Sequence, residues 1–297
     1  MPDQRGIIRD AKWVGRIGKT VALLLMPAAI LLGAEGCQEK TVETNRNPRI
    51  SISNLTGHVV VRGWDKSQVH AVYTVFSPRV EVDTEVLPSS GPADKIHFTT
   101  HLLDRMLTGK EQAADYTLDV PVESSLEIRN PQGRIRIENL QADASADSVG
   151  SSIAVTDTSG NLTVRSVGGN IEIIRPSGRV EAYSITGDLH FVSPSTQKLR
   201  ASTTSGHILY EGDFMAGGDY LLSDYSGDMD VLCPPSSSFE LRAKTVRGKL
   251  ENRLDLTPQR RYSSPLSTSN SLLGTHNTGK ATVELTSFSG AIRIRPQ

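Results

Sequence analysis

Residues 159–191 read SGNLTVRSVGGNIEIIRPSGRVEAYSITGDLHF, with glycine at 160, 169, 178 and 187, three steps of nine. After each glycine comes the same short alternation: NLTV, NIEI, RVEA, DLHF. Alternation with period two is the signature of a strand with one buried face. The inward set is then Leu162/Val164, Ile171/Ile173, Val180/Ala182 and Leu189/Phe191, and the outward set is Asn161/Thr163, Asn170/Glu172, Arg179/Glu181 and Asp188/His190. Glycine, usually after Ser or Thr, marks the corner, where the chain turns sharply and often with positive φ.

The same unit extends well beyond this stretch. It appears as TGHVVV (56–61), QGRIRI (132–137), TSGHILY (204–210), YSGDMDV (225–231), VRGKL (246–250) and FSGAIRI (288–294), where Ile292/Ile294 face inward. The corner glycines are Gly133, Gly160, Gly169, Gly178, Gly187, Gly206, Gly227 and Gly290. A four-residue strand cannot offset the backbone entropy of ordering its unit, whereas stacked strands share a core and ladder hydrogen bonds. The expected fold is all-β: a single-stack β-solenoid of glycine-cornered units of ~10 residues, two per rung, behind an N-terminal β cap. A β-sandwich has similar turn spacing. Its two-residue hairpins favour Asn-Gly or Asp-Gly, however, while this chain offers Ser-Gly, Thr-Gly and Gly-Gly.

Outside the repeat the chain divides further. Arg5, Arg9, Lys12, Arg16 and Lys19 precede an apolar run of 14 residues, Val21–Ala34, which ends in AEG and Cys37. The run has signal-peptide length and falls short of the ~20 residues of a spanning helix. Its small–x–small–Cys ending resembles a bacterial lipobox, which implies lipidation at Cys37 after removal of 1–36; plain cleavage and an uncleaved signal anchor are the alternatives. Gln38, following it, does not resemble the aspartate that retains lipoproteins at the inner membrane. Residues 37–47 are expected as a tether. Residues 48–125 form an N-terminal β region capping the solenoid, with one helix or long loop at 102–114. Residues 126–297 are the repeats, with an irregular excursion at 252–278. The chain without residues 1–36 has 27 basic and 30 acidic residues, net −3. That is no footprint for nucleic acid.

Candidate chemistry is sparse. Glu211, Asp213, Asp219, Asp224, Asp228 and Asp230 crowd into twenty residues, and Asp228 and Asp230 share a strand face. Carboxylates on a solenoid face can hold cations or do acid–base work; the plainer reading is a solvated outward face. His97 and His101 lie four apart without the Glu of a zincin motif, and His190 and His207 occupy outward positions that are candidate neighbours across rungs. Trp64 reads as a cap residue or a sugar platform, and Cys233 as a small buried strand residue. The calcium-binding nonapeptide continuation, the GxSxG elbow and the phosphate-binding glycine motifs are all missing. No catalytic, metal or cofactor residue is assigned.

The order of three pieces carries a family resemblance: RISISNLTGHVVVRGWDKSQVHAVY (49–73), then DYTLDVPVESSLEIRNPQGRIRIENL (115–140), then TGKATVELTSFSGAIRI (278–294). With the repeats between them, they resemble the bacterial "putative adhesin" domain family, glycine-punctuated β-solenoids of unknown function in exported proteins and lipoproteins. That family offers no catalytic residues to transfer. The resemblance implies a non-enzymatic protein of the cell envelope, membrane-anchored, acting as an adhesin-like or scaffolding surface toward glycans or envelope proteins. A regulatory accessory protein holding a membrane partner through its cap is the alternative; a polysaccharide-acting β-helix enzyme using Asp228 and Asp230 is the third reading.

Overall fold

The computed structural model describes residues 36–104, 106, 108–257, 267–268 and 270–297. The export segment expected at 1–36 lies outside them, save Gly36, and so does part of the excursion. The first strands are β1 (Cys37–Ser53), β2 (Thr56–Trp64), β3 (Gln68–Val75), β4 (Val80–Leu87), β5 (Ala93–Leu102), β6 (Ala114–Pro121), β7 (Ser125–Arg129), β8 (Gln132–Leu140) and β9 (Ala144–Asp147). The regular repeat follows as β10 (Ser152–Arg165), β11 (Ile171–Ile174), β12 (Ser177–Tyr183), β13 (Leu189–Val192), β14 (Ser195–Thr203), β15 (Ile208–Glu211), β16 (Asp219–Asp224) and β17 (Met229–Cys233). The chain closes with β18 (Phe239–Thr245), β19 (Leu250–Asn252), β20 (Ser267–Thr268), β21 (Ser271–His276), β22 (Ala281–Ser287) and β23 (Ile292–Pro296).

These strands stack as a two-faced solenoid. On the first face β8, β10, β11, β13, β15 and β17 form a parallel ladder, with Ile135, Ile153, Ile171, Leu189, Ile208 and Met229 in register. On the second, β9, β10, β12, β14 and β16 do the same through Ala144, Leu162, Val180, Leu199 and Tyr220. The long β10 serves both faces, bending at Asp157 (φ 52°) and Gly160 (φ 106°). Every residue of the expected inward set is buried. The core turns aromatic around Tyr210, Phe214, Tyr220 and Phe239, where Phe214, from the loop after β15, stacks on Tyr210 at 4.8 Å.

The first and last pairs of described strands are built into the stack one rung from its ends. β1 lies between β5 and β7, and β2 between β6 and β8, all parallel. At the other end, β22 lies between β16 and β18, and β23 between β17 and β19. Antiparallel strands close the faces: β3 on β6, β4 on β5, and β21 on β18.

Two expectations are corrected. Residues 37–47 are not a tether: Cys37 to Glu43 pair antiparallel with β3, because Val42 alternates inward with this edge. No boundary falls at 126, since β1/β2 and β5/β6 are already parallel rungs. Of the helix or long loop expected at 102–114, the structure shows the loop: between β5 and β6 the described residues carry one 3-10 turn, Gly109–Gln112.

The corner glycines divide into two kinds. Gly133, Gly160 and Gly178 have φ between 101° and 120°. Gly169, Gly187, Gly206, Gly227 and Gly290 have no such φ, so the positive-φ explanation fails for them. They are required by close approach instead: a Cβ on Gly206 would sit 2.1 Å from the carbonyl oxygen of Gly187, one rung away. The left-handed position of the opposite corner is held by Asn139, Asp157, Arg175 and Ser193, with φ of 47° to 56°. Their spacing is a constant eighteen residues.

A buried polar column runs beside the close-approach glycines. Ser166, Ser184, Thr203, Thr245 and Ser287 each accept the N–H of the glycine three residues on, at 2.9 to 3.1 Å. Asp224 takes this place in its rung, between Thr203 and Ser287. Burial pushes its carboxyl up to about 6, against the opposing pull of the Gly227, Ser226 and Tyr225 N–H groups. Neither of its oxygens has a partner of good hydrogen-bond geometry.

Candidate functional site

The outward ladders are the surface on which function has to be sought, since the core is filled by side chains. On the first face the acidic cluster is dispersed into ion pairs. Asp228 and Asp230 do share a face, but Arg293 of the built-in C-terminal rung reaches both, at 2.6 and 3.2 Å. The Ala291 N–H and the Arg293 guanidinium hold the Asp228 carboxyl below its usual range. His207 Nε2 lies 2.8 Å from Asp230, and His190 lies 3.1 Å from Glu211 and 3.7 Å from Glu172. His190 and His207 are diagonal neighbours: His190 is opposite Leu209, and His207 lies one residue before the strand partner of Leu189. Asp213 accepts Ser237 Oγ at 2.6 Å, and Asp224 is inside. Among the described residues no group of three or more His, Cys, Asp and Glu is placed to hold a metal.

Each face carries one shallow depression where short side chains stand between long ones. On the first face, about 570 Å³ opens over Ser152 and Ala154, with Arg134 and Arg136 on one wall and Glu172 and His190 on the other. On the second face, about 550 Å³ opens over Ser51, Ser125 and Ser145, walled by Arg49, Lys95 and His97 and lined also by Glu127 and Asp143, with Glu127 level with and between Ser51 and Ser145. Arg49 and Lys95 are level with one another on adjacent parallel strands, and among the described residues neither has an ion pair. The end of this trough at Arg49 and Lys95 offers two cations beside hydroxyls, which suits a hydroxyl-rich ligand carrying acid groups there, while Glu127 and Asp143 line the remainder. Neither depression was legible in the sequence. A signal did exist, in outward serines on three neighbouring strands, but their adjacency depends on β1 lying between β5 and β7, which sets Ser125 level with Arg49 and Glu127 level with Ser51.

The remaining candidates have structural places. His101 pairs with Asp83 at 3.2 Å. The Trp64 indole N–H donates to the Gln68 carbonyl at 2.8 Å, and Lys66 Nζ stands 4.5 Å over the ring, so its face is covered. Cys233 is buried, its thiol pushed up to about 11 by burial. Cys37 is exposed at the first residue of β1, opposite Thr74. No helix among the described residues is long and apolar enough to cross a membrane.

Three solved structures overlap most of the chain. A putative cell adhesion protein from Clostridium sporogenes is 12% identical, with 88% of this chain and 99% of that one covered and a TM-score of 0.28. A putative adhesin from Bacteroides fragilis is 10% identical (89% and 98% covered, TM-score 0.46), and one from Parabacteroides merdae is 8% identical (89% and 98%, TM-score 0.32). Comparison with curated proteins yields no match. The model of the Toastrack DUF4097 family matches residues 117–295, from β6 to the last strand and more than half of the chain, and the protein belongs to that family.

Proposed function

We propose that this protein is a non-enzymatic, envelope-anchored β-solenoid whose flat outer faces make weak, multivalent, adhesin-like contacts. The observation that supports this best is the second-face trough, where Arg49 and Lys95 stand unpaired over the hydroxyls of Ser51, Ser125 and Ser145. The first face contributes a second shallow site, and two weak sites on one rigid body add avidity without a deep pocket. Acid-bearing glycans of a cell envelope are the ligand class. Anchoring is through a lipid on Cys37, and because β1 begins there, the lipid joins the cap without a spacer.

The test is co-sedimentation of the purified protein with bacterial cell envelopes and with a soluble uronic-acid polysaccharide as competitor. We expect retention that the polysaccharide reduces, and that Arg49→Ala with Lys95→Ala weakens by roughly tenfold, on the scale of two lost charge-assisted contacts. Retention unchanged in the double variant, or none in the wild type, overturns the reading.

A further inference from the structure

One edge of the solenoid carries a row of exposed apolar residues. In the corner that follows each second-face strand, the residue after the buried polar column points outward. Leu55, Val149, Val167, Ile185, Tyr225 and Val246 hold this place and are 38% to 56% exposed. Pro131, Thr204 and Phe288 complete the series. The ladder fixes their order in the stack as 55, 131, 149, 167, 185, 204, 225, 288, 246. The opposite corner is polar at Asn139, Asp157, Arg175 and Ser193, so the apolar edge is not a general property of the turns. Single exposed apolar residues need no explanation, but six of them among nine aligned positions mark an interaction surface.

The geometry points to a second copy of this chain as the occupant, docked edge to edge and antiparallel. We infer this from three features. First, short side chains border most of the ridge, Gly150, Gly168, Thr186, Ser205, Ser226 and Ser289, each one position further along the chain, with Thr56, Gln132 and Arg247 at the other rungs. A two-fold axis at Ile185 sets Ile185 against its own copy and pairs every other ridge position with the one equally far on the opposite side, which is the self-complementary condition for a closed dimer. Second, eight rung steps of ~4.8 Å make a ridge ~38 Å long; with the flanking rows, a strip ~20 Å wide covers roughly 800 Å² per partner, the area of a stable interface. Third, the last rung carries Lys244, Arg247 and Lys249, which have no ion pair among the described residues. Parallel docking would stack these cations on one another, while antiparallel docking puts them at opposite ends.

A glycan does not fit this edge. The Tyr225 and Phe288 rings stack face to face at 4.8 Å and 3°, and Arg247 covers the outer face of Phe288 at 5.3 Å. Both faces of Phe288 and one face of Tyr225 are therefore occupied, and the edges that remain suit side-chain packing.

Disulfide trapping tests the arrangement, using the full chain in nonionic detergent so that residues 21–34 do not drive association, in a Cys37→Ser background. Ile185→Cys lies on the axis and is expected to cross-link with itself. Val149→Cys alone, two rungs from the axis, is not, whereas a mixture of Val149→Cys and Tyr225→Cys chains is. Ile185→Asp, at an exposed site that leaves the circular dichroism unchanged, is expected to weaken dimerisation at least tenfold in sedimentation. A monomer with no 185–185 cross-link overturns the inference. So does a monomer whose pelleting with phosphatidylglycerol vesicles is lost in Ile185→Asp, which assigns the ridge to lipid. Self-cross-linking of Val149→Cys refutes the antiparallel arrangement.

Discussion

Replacing Gly206 with alanine is a small perturbation with a large expected effect. Its φ is not left-handed, so alanine meets no backbone penalty there. The added Cβ would lie 2.1 Å from the Gly187 oxygen, 2.6 Å from its carbonyl carbon and 3.0 Å from Thr203 Oγ1. Ordinary contact begins at 3.4 Å. The corner must therefore move by more than 1 Å against a ladder held on both sides, by Leu189 N–H to His207 O at 2.8 Å and Ile208 N–H to Asp228 O at 3.0 Å. Overpacking costs about 1–3 kcal/mol and two weakened hydrogen bonds about 0.5–1.5 each, giving roughly 2–6 kcal/mol. For a chain of this size that lowers Tm by roughly 5–20 °C. Thermal unfolding by circular dichroism reads the shift. Gly91→Ala is the control: its φ is +84° with nothing within 4 Å, so only the left-handed cost of about 1–2 kcal/mol applies. A Gly206→Ala protein melting within 2 °C of wild type, or less affected than Gly91→Ala, refutes close approach as the reason for glycine in this column.

Two further outcomes follow from the same stack. Asp224 has its carboxyl raised in the folded state, so the fold favours the protonated form; its contribution is intact below the unfolded value near 4 and is lost as pH rises through about 6. Asp224→Ser, which restores the hydroxyl of the column, is expected to raise Tm at pH 8, by about 1–2 kcal/mol of stability after solvent screening at the corner, and to change little at pH 4; equal shifts at both pH values refute the assignment. Deleting residues 281–297 removes a rung from inside the stack, with Val283, Leu285, Ile292 and Ile294 all buried. At about 1.5–3 kcal/mol each, this approaches the whole stability of a domain, so we expect an unfolded or aggregated product; a soluble chain with an unchanged melting profile contradicts the interleaved order.

Much of the stack was legible because its signal is local. Period-two alternation after a repeated glycine needs no knowledge of the partner strand, and it located the inward residues of β10 to β13 and β23 correctly. Long-range pairing was not legible. Nothing near Asp228 announces Arg293, which is brought 63 and 65 residues along the chain to neutralise the two aspartates. The terminal rungs left no local trace of being inserted one place inward. The left-handed corner of Asn139, Asp157, Arg175 and Ser193 escaped because four residue types share one conformation; its constant spacing was the available sign. Asp224 belonged to the inward phase of Tyr220 and Leu222, yet its charge suggested the surface. The troughs depend on which serines become neighbours, and that is a property of the stacking order.

The reading of an adhesin-like surface stands or falls on where the solenoid is displayed. Protease treatment of intact cells expressing the wild-type chain, with immunodetection of the solenoid, measures this directly. The account predicts that the protein is lost from intact cells while a periplasmic marker survives, and that Cys37→Ser releases it from the membrane fraction. Protection until the outer envelope is opened would contradict surface adhesion.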